Sequence, residues 1–527
     1  MRQGCVSGAS ATVPVPHLPR LSARRVAAVL ALAGVAAAPA LAAPAFVDDS
    51  AGLPVPHVYS GGWEHFVGGG VAAFDCNGDA LPELLAAGGE APAALFLNRS
   101  DPGGALRFAE SALPKLDALR GVTGAYPIDI DSDGQLDLAL LRVGPNLLLR
   151  GQGDCRFEDA TADWSLPRRD AWTTAFAATW EGDAAFPTLV FGNYVDRADP
   201  DGPFEACDTS DVIRPAEDGF GAAEVISPGW CTLSALISDW QRSGAPELRL
   251  SNDRHYYVRG GYEQMFHLSP LQERQDWRQV SLWGMGIASR DLTGDGLPEV
   301  MMTSMGDQLL QFNRKDGFED APYAQGTTAH RPHVGDDGRP STGWHAEFGD
   351  VDNDGRADLF IAKGNVDQMP SMAMKDPNSL LMQQPDGTFA EAGAEAGIAT
   401  MERARGAALV DLNGDGRLDL AVVNRRAPME IWRNVTEGTG GWVGIELAQP
   451  APNRRAVGAW VELRAGDLIQ AQELTIGGGH AGGSAVPLHF GIADAGTAEV
   501  RVIWPDGTTG TWQAVTPGKI TVIARPE

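Results

Sequence analysis

Short apolar runs, set off by polar and glycine-rich turns, recur along most of the chain. Each repeat from Ala43 onward reads as a strand of small residues, an acidic turn, a strand of the L-D-L-A-L type and a strand of the L-F-L-N type. A phrase beginning F-x-E closes the repeat. Runs this short, bounded by Gly, Asn and Asp, predict strands and not helices. The third strand is legible at Leu95–Asn98, Leu147–Arg150, Leu309–Asn313, Leu380–Gln384 and Glu430–Asn434. The fourth is legible at Phe108–Glu110, Phe157–Asp159, Phe318–Asp320 and Phe389–Glu391. Four short strands per repeat of about 50–60 residues describe the blade of a β-propeller.

The acidic turns begin at Asp75, Asp129, Asp239, Asp291, Asp350 and Asp411. The interval 239 − 129 = 110 holds one further repeat, with a strand at Thr188–Gly192 and a turn near Trp180–Asp183 that has lost its acids. Seven blades are therefore expected over residues 43–435. The phrase Phe46–Leu53 resembles a fourth strand with no third before it, so it is expected to complete the last blade and close the ring, leaving no free sheet edge. The stretches 196–230 and 255–277 read as surface insertions. Past Asn434 the period stops. Residues 436–441 read as a linker, and 442–527 as a small, separate β-sandwich-like domain. Its strands are expected at Ala459–Arg464, Ala471–Ile476 and Glu499–Trp504, with a hairpin turn at Asp506-Gly507.

The turns carry the candidate chemistry. Asp350–Leu359, D-V-D-N-D-G-R-A-D-L, places Asp350, Asp352, Asp354 and Asp358 at loop positions 1, 3, 5 and 9, with Gly355 at position 6. The same register recurs as Asp75, Asn77, Asp79 and Glu83; as Asp129, Asp131, Asp133 and Asp137; as Asp291, Thr293, Asp295 and Glu299; and as Asp411, Asn413, Asp415 and Asp419. A hard cation such as Ca²⁺ takes six to eight oxygen ligands, and alternate residues of a tight turn can aim three at one point. The last acid falls at position 9 and not 12, which excludes an EF-hand. Asp, Asn and Gly also make ordinary turns, but that does not keep five turns in one register. Ca²⁺ is expected in these five. The Asp239 turn has Gln241 and Ser243 in place of acids and is expected to have lost it.

Charge agrees with this reading. The net charge is −28; residues 1–42 hold four arginines and no acids, so a chain without them would carry −28 − 4 = −32. Such a balance excludes nucleic acid as partner. Arg20, Arg24 and Arg25 precede an apolar run, Val26–Ala38, and Ala40-Leu41-Ala42. This predicts an export signal cleaved after Ala42 and a secreted or periplasmic protein. A retained anchor is the competing reading, against which the run is short and alanine-rich. No later segment predicts a membrane span. Cys5 would leave with the signal. Four cysteines then allow three pairings, of which Cys76–Cys155 and Cys207–Cys231 are preferred over free thiols.

The turns with their L-D-L flanks resemble the FG-GAP/VCBS repeats of integrin-α-like propellers. Two longer phrases, Trp283–Gly296 and Gly343–Gly355, together with W-V-G-I-E-L, L-H-F-G-I and V-R-V-I-W-P-D-G-T in the tail, are similar to the cartilage acidic protein family with its terminal ASPIC/UnbV domain. The resemblance implies an exported, calcium-binding propeller that serves in adhesion or extracellular interaction, with a protein or glycan as partner. It brings no catalytic motif. Four departures stand out: Ala80 replaces the turn glycine, Glu83 and Glu299 replace Asp, Thr293 replaces an acid at position 3, and His345 replaces a glycine.

Other chemistry is thinner. His330-x-x-His333 has metal-like spacing inside a loop. G-G-G-H-A-G-G-S around His480 lacks the lysine and helix of a phosphate cradle and reads as a flexible loop. The tryptophans Trp172, Trp180, Trp230, Trp240, Trp283 and Trp344 read as packing between blades. The alternative function is a polysaccharide lyase or hydrolase built on the two insertions, using those rings to stack sugars.

Overall fold

Strands made of small residues stand closest to one axis: Val71–Phe74, Val122–Ile128, Ala171–Thr179, Thr232–Ser238, Gly284–Arg290, Gly343–Gly349 and Ala404–Val410. In the computed structural model, which describes residues 43–111, 119–200, 206–217, 219–253 and 260–526, each of these opens a set of four antiparallel strands, and the second and third sets join at Ala171–Trp172 into one eight-stranded sheet. The expected signal over residues 1–42, with its cleavage point, lies outside the described residues. So do 201–205 and 254–259 of the two stretches read as insertions. Neighbouring inner strands touch in chain order, and the first touches the last, so the sheets encircle the axis. The all-β propeller read from the repeats is what the chain forms.

Second strands such as Asp358–Lys363 and Asp419–Asn424 are buried at every position. They lie mid-sheet with a sheet stacked on either face, which is why they read as continuous apolar runs and not as alternation. The hydrophobic core lies between sheets: Phe360 and Leu380 of one pack with Leu420 and Val422 of the next. The last sheet takes its outer strand from the other end of the chain, with Phe46 opposite Asn434 and Asp48 opposite Trp432. The Arg433–Asp49 ion pair (2.8 Å) sits beside this seam. The preferred disulfides both form, Cys76–Cys155 and Cys207–Cys231.

Three expectations need correction. The stretches 196–230 and 255–277 are not insertions. Ser210–Ala216 and Gly219–Ile226 are outer strands of the third sheet, and Gln264–His267 and Gln272–Glu273 are those of the fourth. A register shift at Pro215 and a two-residue final strand hid them from the repeat pattern. Residues from 441 onward do form two sheets over one core, with Val443 and Phe490 facing Leu463 and Val500. Their second strand, however, is Leu468–Glu473; Thr475 and Ile476 have already left it.

Third, the glycine-rich phrase is neither flexible nor exposed, and the tail does not stand apart. Residues 476–485 run along the axis of the ring. Ile476 bridges Ala178, Gly479 bridges Ile287, Gly482 bridges Ala125 and Ala485 bridges Phe74. The Gly478 amide donates to Ala235 O (2.7 Å) and the Tyr126 hydroxyl to Gly478 O (3.1 Å). A Cβ on Gly70 or Gly124 would lie 1.8 or 1.7 Å from Ala481 O, so only glycine lets the inner strands close on this plug. Trp172, Trp240 and Trp344 are fully buried, as the packing reading expects.

Gly124→Ala should drive the plug from its seat and lower stability by on the order of 2 kcal/mol, the usual scale for overpacking. Denaturant unfolding beside the parent chain measures it; an unchanged midpoint contradicts the placement of the plug.

Candidate metal centres

The acidic turns join each inner strand to the second strand of its sheet, so one face of the ring carries them all. Backbone amides lock the first and last acids of each turn. Asp350 accepts the amides of Asp354 (3.0 Å) and Gly355 (2.7 Å); Asp358 accepts those of Val351 (3.0 Å) and, from the third strand, Gln383 (2.9 Å). Asp137 repeats the second pattern with Ile130 (2.7 Å) and Gly151 (2.8 Å), and Asp419 with Leu412 (2.9 Å) and Asn434 (2.8 Å). The position-9 acid thus ties the turn to the sheet, which explains its place in the L-D-L phrase. Position 6 needs positive φ: Gly134, Gly296, Gly355 and Gly416 have φ between 82° and 97°. Ala80 adopts φ 65° there, a conformation that costs a residue with a Cβ about 1 kcal/mol or more.

In two turns three carboxylates converge. One oxygen each from Asp129, Asp131 and Asp137, and from Asp350, Asp352 and Asp358, lie within 4.8 Å of one another. The position-5 acids Asp133 and Asp354 stay outside these groups. Asp354 is ion-paired with Arg356, as Asp415 is with Arg417. Among the described residues the other three turns form no group of three acids. Glu83 comes together with Cys76 and Cys155, whose sulfurs are spent in the disulfide. Asn77 donates to Glu83 (2.9 Å), and Asn413 donates to Gly104 O (2.9 Å) while its own oxygen accepts the Asp415 amide (3.2 Å). Asp291 accepts the amides of Gly294 (2.8 Å) and Gly296 (3.0 Å), and Asp295 that of Leu297 (2.8 Å); Thr293 sits exposed on the rim. In the first turn Asp75 accepts the amides of Gly78 (2.7 Å) and Ala80 (2.8 Å), and Asp79 that of Leu81 (2.9 Å).

Burial is the main force on these acids, and neighbouring carboxylates add to it. Asp129, Asp291, Asp354 and Asp411 are pushed up to about 6, Glu83 to about 7, and Asp137 and Glu299 to about 8. Asp350, Asp358 and Asp419 rise well above the carboxylate range. Asp129 Oδ1, Asp131 Oδ1, Asp352 Oδ1 and Glu299 Oε1 are buried without a hydrogen-bond partner. Buried polar oxygens are ordinarily satisfied, and a carboxylate desolvated beside its like is costly unless a cation joins it. The donor set, all oxygen and strongly anionic, fits a hard divalent ion.

The Asp239 turn keeps the fold and not the chemistry. Asp239 accepts the amides of Ser243 (2.9 Å) and Gly244 (2.6 Å), while the tail's Glu473 accepts the Asp239 amide (3.0 Å) and Arg242 pairs with Glu462 (2.7 Å). Nothing in the local pattern marks these tail residues, nor His489, which bonds Asn353 in the Asp350 turn (2.7 Å). His345, singled out as a departure, accepts the His480 amide (3.1 Å) and so belongs to the seat of the plug. His330 and His333 do not share a site: the first faces Asp307, the second Glu391.

Residues 75–140, 291–361 and 350–422 match the family described as FG-GAP-like repeat, and residues 449–527 match ASPIC and UnbV. Among curated proteins none matches the chain. Among solved structures, BBS1N from its complex with ARL6DN, soaked with lead, is 8% identical; the match covers 75% of this chain and 97% of that one at a TM-score of 0.44. A lectin of Agrocybe aegerita that recognises non-reducing terminal N-acetylglucosamine is 13% identical, with 70% and 94% covered and a TM-score of 0.38.

Two measurements probe the turns. Ala80→Gly should relieve the left-handed alanine and stabilise the chain by about 0.5 kcal/mol after the entropy cost of glycine, read from a chemical melt. Burial pushes Glu473 up to about 8 from an ordinary 4.5, so the folded chain keeps a proton that the unfolded chain has lost. Its stabilising proton is fully present below about pH 4.5 and its contribution fades as pH rises through 8. Glu473→Gln should flatten that part of the stability–pH curve; an identical slope contradicts it. The chain therefore carries FG-GAP-like repeats in its ring and an ASPIC and UnbV region in its tail.

Proposed function

We propose that the chain is a calcium-braced interaction module of an exported protein, presenting the faces of a rigid ring to a protein or glycan partner. The carrying observation is the pair of buried three-carboxylate groups with unpartnered oxygens. Asp129, Asp131 and Asp137 would hold one Ca²⁺, and Asp350, Asp352 and Asp358 another. Asp75, Asn77, Asp79 and Glu83, Asp291, Thr293, Asp295 and Glu299, and Asp411, Asn413, Asp415 and Asp419 are the poorer candidates. The ion supplies positive charge that lets buried acids ionise together; the turns supply preset geometry. Export is supported by the two disulfides, which persist in oxidising compartments. Among the described residues no helix is long and apolar enough to cross a membrane. A binding role is supported by the filled axis: the tail occupies the place where an open ring would admit a small substrate. With outer sheet strands running through 196–230 and 255–277, the glycan-cleaving alternative loses the free insertions it was given.

Calcium titration calorimetry on the full mature chain should find at least two sites, with Kd on the order of 10⁻⁴–10⁻³ M or tighter. Saturation at a hundredfold excess over Kd adds about 2.7 kcal/mol per site, so excess chelator should lower Tm by several degrees and calcium restore it. No binding heat and an unmoved melt would falsify the calcium reading.

A further inference from the structure

The two turns whose acids converge are also turns that the tail grips. In the Asp350 turn the Gly440 amide donates to Asp352 O (3.0 Å), the Ala493 amide donates to Asn353 O (2.9 Å), and His489 bonds the Asn353 side chain (2.7 Å). Gly491 lies directly against the Asp350 carboxylate; a Cβ there would be 1.9 Å from Asp350 Oδ2. In the Asp129 turn, Ser132 accepts the Asn453 amide on its hydroxyl (3.0 Å) and the Arg454 guanidinium on its carbonyl (2.5 Å). The tail thereby roofs both groups, leaving Asp352 at 3% and Asp129 at 4% exposure with an oxygen of each unpartnered.

The Asp239 turn shows the same grip made without a cation. There the acids at positions 3 and 5 are missing, and the tail is held directly by Arg242–Glu462 and by Glu473 on Ser238 and Asp239. Tail contacts thus fall repeatedly on this one class of turn, Trp442 against Gly416 included: the Asp239 contact closes as an ordinary ion pair, and those at Asp129 and Asp350 leave carboxylates facing each other beneath the tail.

We infer that divalent cations in the Asp129 and Asp350 turns act as the latch that holds the C-terminal sandwich on the ring and its glycine plug in the axis. This rests on the calcium reading above and assigns that site a regulatory consequence. With the ions in place, the two turns hold the shape that Asn453, Arg454, Gly440, His489 and Ala493 engage. With the ions gone, the acids in each group repel one another, the turns spread, and the roof residues lose their partners. The plug, held by one or two backbone bonds to each of several strands, follows the sandwich out. The ring keeps its own sheets, because most of each core comes from the strands, with only one or two turn residues such as Val351 and Leu418 joining it. The chain is then a ring whose axis opens when the surrounding calcium falls.

Hydrogen exchange on the full mature chain tests this, with calcium binding measured on the same sample by calorimetry. Chelation should speed exchange in residues 476–485 about tenfold or more, while Ala404–Val410 and Asp419–Asn424 stay protected. Asp352→Asn and Asp131→Asn should each speed plug exchange in saturating calcium; Glu319→Gln, an exposed acid of the outer strand Gly317–Asp320 and outside every turn, should not. Calcium bound with plug exchange unchanged by chelation overturns the latch and leaves the calcium reading standing. Plug and ring losing protection together also overturns the latch. Absence of calcium binding overturns both.

Discussion

Space at the axis is the constraint on which everything else depends. The sheets of the ring meet around a line, and on that line runs a segment of the same chain. The inner strands can close only where their side chains are small, so Gly70, Gly124, Gly286 and Gly406 stand where backbone meets backbone. In a ring left empty those glycines would be liabilities, adding backbone entropy to the unfolded state with no packing in return. Here they are the complement of the plug. Its own glycines accept the same rule from the other side: Gly479 is pressed against His345, and Gly483 against Tyr126.

The acidic face follows from that centre. Each inner strand must turn back sharply to begin the second strand, and the turn chosen fixes its first acid with amides from inside the loop and its last with amides from the loop and the neighbouring strand. Such an arrangement presets where two acids of each turn lie, because four backbone donors hold two side chains. What it does not supply is charge compensation. The buried oxygens of Asp129, Asp131, Asp352 and Glu299 are therefore a demand that the rest of the fold creates and the protein atoms leave unmet.

Much of this was written in local pattern. The L-D-L phrase carries the acid that ties turn to sheet, Phe46–Asp48 carries the strand that completes the last sheet, and the cysteines pair as their positions in neighbouring repeats and in one loop suggested. What stayed hidden was set by distant contacts. The outer strands of the third and fourth sheets are too short or too irregular, with Pro215 in one and Gln272–Glu273 as the whole of another, to show periodicity. The phrase around His480 has the composition of a loose loop, and its order comes wholly from partners more than a hundred residues away. No property of those residues taken alone distinguishes a plug from a linker.

The seam in the last sheet carries a further consequence. Phe46 waits for Asn434, and Gly68 for His480. During synthesis, the earliest ordered strand and the earliest turn of the ring therefore remain unpaired until nearly the whole polypeptide exists. High sequence separation makes such closure slow. In a chain built this way neither end of the ring can commit to its place before the other has been made, so closure is the last act of folding and not the first.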